Sequence, residues 1–387
     1  MKILLVNEFY TPNLHGGAEI SCQLLAETLS EMGHSVFVLT TGKTNKIESN
    51  NGVKVYYCSI SNLYWPFEGT NKNMFEKILW HVIDSFNVFM YSKISKVMEE
   101  IKPDIIHTNV ISSFSCIVWN IAKAHKIPIV HTLRDYYLLC YKTSMFNNQK
   151  NCTNQCLGCK LSSIPKKHYS KYVSAVVGIS NFILDKHLSL GYFQNADSFV
   201  VPNSIKKSSS FSDTRQKIIG FIGSVSPSKG VERLIRDFLS LENNEYKLQI
   251  AGKCSNEYKT YLQNKYNSTR VEFIGRVKAD DFMQRISLLV VPSEWEEPFG
   301  RVVVEAMSNR CPVLVSNKGG MPEMINNSVG YVFNLEEKDS LIVLLQKFVL
   351  GILKFNFSKM NLEKYSLDNV ANKYLVIYEK AKQTYSC

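Results

Sequence analysis

"PSEWEEPFGRVVVEAMSNRCPVLVSNKGG" (residues 292–320) is entered from an apolar run, "LLVVPS", that reads as a strand. It turns through "EWEEPFG", continues as "RVVVEAMS" with helical spacing, and returns as the apolar run "CPVLVSN". Strand, helix and strand in close succession make the unit from which parallel sheets are assembled, because a parallel return needs a crossover. Pro298 and Gly300 mark the turn into the helix. Two carboxylates flank that turn, Glu297 in the loop and Glu305 inside the helix. A helix start offers unpaired N–H groups and the positive end of a dipole, which suits a phosphate, and Arg301 adds charge there. Glu305 lies one turn past Arg301 on the same face, within reach of a group held at the helix start. Its carboxylate can accept two hydrogen bonds from a vicinal diol such as a ribose, and Glu297 would reach a sugar attached beyond the phosphates.

The same alternation extends outward in both directions. "KIIGFIGSV", "YKLQIAGK" and "VEFIGRV" are strands before this segment, with helical stretches between them. The N-terminal half repeats the pattern with "KILLVN", "HSVFVLTT", "PDIIHTN", "IPIVHTL", "AVVGIS" and "SFVVPN". Between the halves lies the polar, Ser- and Lys-rich stretch 201–217. The expectation is an α/β protein with two doubly wound, Rossmann-like domains facing a cleft, residues 1–203 and 204–363. A last helical segment, 364–387, is able to pack on either domain, including back on the N-terminal one. Ligands of open parallel sheets bind at the carboxyl ends of strands, so the loops after "KILLVN", "GFIGSV" and "LLVVPS" are the candidate sites.

The chain has 387 residues, 45% apolar and 20% charged, with a net charge of +11. Residues 101–200 hold 11 Lys and Arg against 4 Asp and Glu. Such an excess attracts anionic lipid or phosphorylated small molecules, or is a solvated face. No nucleic-acid-binding module is recognisable, and no apolar run reaches the roughly 18 residues of a membrane span. The opening "MKILLVNEFYTP" lacks a signal-peptide pattern. A cytoplasmic protein follows, with the basic half suited to the inner face of a membrane.

The run Glu-Pro-Phe-Gly, Glu-Ala-Met, Cys-Pro-Val-Leu-Val, Gly-Gly-Met-Pro-Glu closely resembles the signature of retaining glycosyltransferases of family 4, which have the GT-B fold. "NLHGGAEI", "PDIIHTN", "GISNFI", "VVPNSI" and "GFIGSVSPSKGVERLI" resemble the family's other segments, so the resemblance covers nearly the whole chain. It implies a transferase that moves a sugar from a nucleotide sugar to a glycan or lipid-linked acceptor, as in bacterial surface-polysaccharide synthesis, with no cofactor for catalysis. A nucleotide-sugar isomerase or hydrolase on the same fold, or a basic zinc-bearing nucleic-acid binder, are the competing readings. By resemblance, Glu305 would hold the ribose and Glu297 the donor sugar. Gly300, Arg301 and Val302 would present N–H groups to the diphosphate, with Phe299 beside them. Lys229 would neutralise the leaving phosphate, and Gly16, Gly17 and Gly223 belong to the donor-binding loops.

Two departures stand out. Ser224 replaces an arginine common in the family, leaving more of the diphosphate charge to Lys229, Arg276 or Arg301. Arg134, followed by Asp135, replaces the usual histidine. His107 and His131 are candidates for the acceptor side, with packing at the strand end the alternative for His107. Finally, Cys140, Cys152, Cys156 and Cys159 follow the spacing C-x11-C-x3-C-x2-C within loop 140–159. Three states remain open for them: a structural zinc site, reduced thiols or disulfides.

Overall fold

A computed structural model describes all residues except 14, 15, 67–71, 208–213 and 387. Part of the "NLHGGAEI" loop and part of the 201–217 stretch therefore lie outside the described residues. The chain divides into two compact units. One comprises Met1–Met145, Cys152–Ser204 and Tyr365–Cys387; the other comprises Phe146–Asn151 and Ile205–Lys364.

The first unit is built on an eight-stranded sheet. Its spatial order is Asp197–Val200, Ala175–Gly178, Ile129–Leu133, Ile105–Thr108, Lys2–Val6, Ser35–Gly42, Val53–Ser59 and Lys46–Asn50. All neighbours are parallel except the last pair, which is antiparallel. Those two strands were not expected from the sequence, although their connection carries a clear signal. Asn51 (φ 49°) and Gly52 (φ 77°) both adopt left-handed backbone, the geometry of the tight two-residue hairpin that Asn-Gly favours. The apolar strands Ile3–Val6 and Ile105–Ile106 are fully buried, as central parallel strands require. The helix Leu367–Ser386 packs against Gly17–Glu31, burying Val370, Tyr374, Ile377 and Tyr378 in this unit's core.

The second unit has six parallel strands in the order Val271–Gly275, Lys247–Ala251, Gln216–Ile222, Ile286–Val291, Val313–Ser316 and Gly330–Phe333. In chain order this is 3-2-1-4-5-6, the doubly wound arrangement that leaves a crevice between its first and fourth strands. Those two strands are Gln216–Ile222 and Ile286–Val291, and they are paired. The loops leaving their carboxyl ends are Gly223–Gly230 and Pro292–Gly300. Helix Val231–Leu239 buries Leu234, Ile235 and Phe238 in the core beneath them. The Asp280–Asp281 pair lies in the first turn of helix Ala279–Arg285, where acidic residues complement the dipole. Among the described residues no helix is long and apolar enough to cross a membrane.

Candidate active site

In the second unit the two loops at the crevice are locked together. The N–H groups of Glu294 and Trp295 both donate to the Ser228 carbonyl, at 2.9 and 3.0 Å. Gly230 follows in left-handed backbone (φ 67°), and a Cβ there would sit 1.9 Å from the Pro292 carbonyl oxygen. Only glycine permits this approach. The consequence is that Lys229 and Glu297 meet. Lys229 Nζ lies 2.9 Å from Glu297 Oε1, with the side chains 22% and 13% exposed, and stands 4.8 Å from the centre of the Trp295 ring.

The helix Arg301–Ser308 starts from Gly300, whose φ of 94° turns the chain. Phe299 is buried beneath the turn, and Val302 occupies the first helical turn. Arg301 Nε bonds Glu305 Oε1 at 2.7 Å across one turn. Burial raises the Glu305 carboxyl above its usual range; Arg301 opposes the shift and Asp280 adds to it. On the far side of the loop, the Gly320 N–H bonds the Glu297 carbonyl at 2.8 Å. Asn151 also grips the loop. Its side chain donates to the Glu294 carbonyl at 2.6 Å and accepts from the Glu296 N–H at 2.9 Å. Sequence reasoning missed Asn151, and nothing in the Asn-rich stretch around it distinguishes it.

Gly223 and Ser224 leave the carboxyl end of the first strand, with Ser224 exposed. Arg276 is not brought to them. It is exposed at the end of the edge strand Val271–Gly275, two strands away, or roughly 10 Å at the usual strand spacing. Lys229 and Arg301 are placed at the crevice by the fold of this unit, and Arg233 reaches the same loop through Glu294 at 3.7 Å.

The first unit gathers a different set at the carboxyl ends of its central strands. Gly16 and Gly17 open the helix Gly17–Glu31. Arg134 is buried, and its partners are Asn109 (Nε to Oδ1, 2.8 Å) and Asn203 rather than Asp135. Asp135 accepts from the Tyr137 N–H at 2.9 Å, and burial pushes its carboxyl up to about 6. Glu8, two residues past the first strand, is a group that sequence reasoning missed. It accepts from Ser113 Oγ at 2.8 Å. Burial raises it to about 8, with Asp84 and Asp135 adding to the shift. Lys166, also buried, donates to the Tyr137 carbonyl at 2.8 Å and draws on both Asp84 and Asp135. A carboxyl that titrates near neutrality at a strand's carboxyl end can give or take a proton.

Two expectations are corrected. His107 and His131 are not surface groups on an acceptor side, since both are buried. His107 bonds Tyr378 OH and Thr132 Oγ1, each at 2.7 Å, which ties the C-terminal helix to the sheet. His131 bonds Thr108 Oγ1 at 2.8 Å and stacks on Phe193. Burial holds both imidazoles neutral, His107 well below its usual range and His131 down to about 3. The zinc reading of the cysteine loop also fails to find support. Cys159 is hydrogen-bonded to Cys156 and Cys140, but Cys156 is exposed. Among the described residues no three His, Cys, Asp or Glu side chains are arranged to hold a metal ion. Every described cysteine is a free thiol.

The buried Glu8 sets a pH dependence. Its folded pKa lies above its unfolded value, so the folded state holds the proton more tightly and stability falls as pH rises from about 4.5 through about 8. His107 and His131 act in the opposite sense below pH 6.5, where the unfolded imidazoles gain protons. Glu8→Gln should therefore flatten the alkaline limb. At ~1.4 kcal/mol per pKa unit, the wild type should lose about 2 kcal/mol more than the variant between pH 6.5 and 9. Urea unfolding at both pH values checks this, and parallel slopes for the two proteins would contradict it.

Comparison with known proteins bears on the family and the fold. Residues 15–208 match the family model described as Glycosyltransferase Family 4, and residues 203–351 match that of Glycosyl transferases group 1. A Klebsiella pneumoniae protein described as an uncharacterised 42.6 kDa protein in the cps region is 38% identical over 347 residues, covering 88% of this chain and 92% of that protein. Sucrose-phosphate synthase from Thermosynechococcus elongatus superposes with a TM-score of 0.77 at 18% identity, over 98% of both chains. Anabaena HepE, solved in complex with UDP-glucose, superposes with a TM-score of 0.71 at 15% identity, over 98% of this chain and 99% of that one. The chain belongs to glycosyltransferase family 4 and has the GT-B fold.

Proposed function

We propose that the protein transfers a hexosyl group from a nucleotide sugar to a hydroxyl of a lipid-linked glycan, with retention of configuration and without a metal ion, at the cytoplasmic face of a membrane. The observation that carries the donor half is the pairing of Lys229 with Glu297 and of Arg301 with Glu305 at one crevice. Each cation is held by a carboxylate that a donor would engage in its own right. The diphosphate takes Lys229 and the start of helix Arg301–Ser308, Glu297 turns to the sugar hydroxyls, and Glu305 takes the ribose diol. Charge building on the leaving β-phosphate is then met by a cation already in place. The acceptor hydroxyl attacks on the face the phosphate leaves, its proton passing to the departing phosphate oxygen. Glu297 and Glu305 are binding groups in this scheme, not the acid/base pair of a glycosidase.

The location of the Klebsiella relative in a cps region supports surface polysaccharide as the product class. The UDP-glucose bound by HepE makes uridine donors the first to test. A thermal-shift screen of UDP-, GDP-, ADP- and CMP-sugars, with and without EDTA, should show one base raising Tm by mass action and no effect of EDTA. No stabilisation by any nucleotide sugar would defeat the reading.

Arg134 is assigned a transition-state role in the same scheme. Arg134→Ala should lower kcat by about tenfold or more, on the order of 1.4 kcal/mol. Because Arg134 also bonds Asn109 and Asn203, its loss will lower Tm as well, so kcat is referred to the folded fraction. Unchanged kcat per folded molecule would make Arg134 a packing residue.

A further inference from the structure

Two neighbouring helices of the first unit are inside out. In Leu157–Ser170 the buried side chains are Cys159, Ser163, Lys166 and Ser170, at helical spacing. They are satisfied from within: Ser163 Oγ and Lys166 Nζ donate to the carbonyls of Leu138 and Tyr137. The outward stripe is Leu157, Leu161 and Ile164, all exposed. In Met74–Ser85 the buried positions are Trp80, Asp84 and Ser85, while Met74, Phe75, Ile78, Leu79 and Val82 face outward. Met74 and Phe75 are 78% and 73% exposed. A surface helix in water shows the reverse order. The two helices pack on each other, and Phe86, just past the end of one, stacks on Tyr169 of the other at 4.5 Å. The two exposed stripes thus belong to two helices in direct contact. Val88 and Phe89, in the next turn of the chain, are exposed as well. Scattered exposed apolar residues are ordinary, whereas a contiguous field of this kind marks an interaction surface.

The charge around the field selects the partner. No Asp or Glu occurs between Asp135 and Asp185, while Lys142, Lys160, Lys167 and Lys171 in that stretch are exposed. On the other helix Lys77 is exposed, and Glu76 is engaged in the capping box with Asn73. A second copy docking about a two-fold axis would set these lysines against themselves. An anionic bilayer takes both features, apolar side chains entering the acyl boundary and ammonium groups resting among phosphates.

We propose that the outward faces of helices Met74–Ser85 and Leu157–Ser170 dock on an anionic lipid bilayer. This rests on the reading of the acceptor as lipid-linked, and it names the surface that brings the enzyme to it. The test is co-sedimentation of the full chain with vesicles of phosphatidylcholine, alone or mixed with phosphatidylglycerol. Wild type should bind the mixed vesicles and lose binding as salt is raised. Phe75→Ser combined with Ile78→Ser and Leu161→Ser should weaken binding by roughly tenfold or more. Lys160→Glu with Lys167→Glu should remove the preference for the anionic lipid. Val343→Ser with Leu350→Ser, exposed apolar positions in the second unit, should bind as wild type does. The proposal is overturned if wild type ignores both vesicles or if the triple variant binds like wild type. It is equally overturned if light scattering shows a dimer that the triple variant dissociates. Calorimetric binding of a nucleoside diphosphate, which the triple variant should retain, reports separately on the transfer reading.

Discussion

Lys229→Ala is expected to lower kcat by about 10²–10³-fold, the cost of deleting one preorganised group aimed at developing charge. The structure explains why the effect should be large. Lys229 is held by the loop–loop lock at Ser228, by Glu297 at 2.9 Å and by the Trp295 ring at 4.8 Å. A cation fixed this way loses little entropy when the phosphate arrives, so its full charge is available in the transition state. Ser224 places no second cation on its own loop, and Arg276 is two strands away. Arg233, a further cation on this side, is engaged with Glu294 at 3.7 Å.

The same geometry supplies the control. Removing Lys229 strands Glu297, which is only 13% exposed, so some loss of stability will accompany the loss of rate. Lys229→Ala combined with Glu297→Gln relieves that stranded charge and should restore Tm without restoring kcat. Binding of the free nucleoside, which has no phosphate, should be unchanged in both variants. If Lys229→Ala keeps kcat within about threefold, the leaving phosphate is neutralised elsewhere and the crevice has been misread.

How much of this was legible beforehand differs between the halves of the chain. In the second unit five of the six strands read as apolar runs ending at Gly, Ser or Pro, Gly330–Phe333 being the exception, and the turn at Pro298–Gly300 announces the helix start. The fold places Lys229 beside Glu297 because both follow paired strands, and alternation alone already points to those loops. Arg276 failed for the same reason: spatial strand order sent its strand to the edge, and linear sequence does not state that order. In the first unit the histidines misled. His107 lies at the end of its strand, as catalytic groups often do, and His131 in the middle of the next, yet tyrosines 271 and 243 residues later in the chain close over that region. The partner of His107 is Tyr378, and Tyr374 bonds the neighbouring Thr132. A long-range packing decision of this kind leaves no local trace. Glu8 was legible in principle, since a charged residue two positions past a central strand must, when buried, either be partnered or shift its pKa. The inverted helix Leu157–Ser170 was masked by its cysteines, which drew the reading toward metal and away from the apolar stripe at Leu157, Leu161 and Ile164.

Glu305→Ala should weaken nucleoside diphosphate binding by roughly 1.5–3 kcal/mol, the range for hydrogen bonds to a charged group. That is about 10- to 150-fold in Kd. The ribose assignment makes a sharper claim than the loss itself. A 2′,3′-dideoxy nucleotide has no diol to offer, so it should bind wild type weakly and bind Glu305→Ala no more weakly still. The two deletions remove one interaction and must not add. Additive losses would mean that Glu305 acts only by orienting Arg301, to which it is bonded at 2.7 Å. The pH dependence separates the cases again. Burial holds the Glu305 carboxyl above its usual range, so its acceptor form is lost earlier than that of an ordinary glutamate as pH falls. Binding of the ribonucleotide to wild type should therefore weaken on the acid side, while Glu305→Ala and the dideoxy ligand both give flatter profiles. A wild-type profile that matches the variant's would assign the acid limb to the phosphate and remove Glu305 from the ribose site.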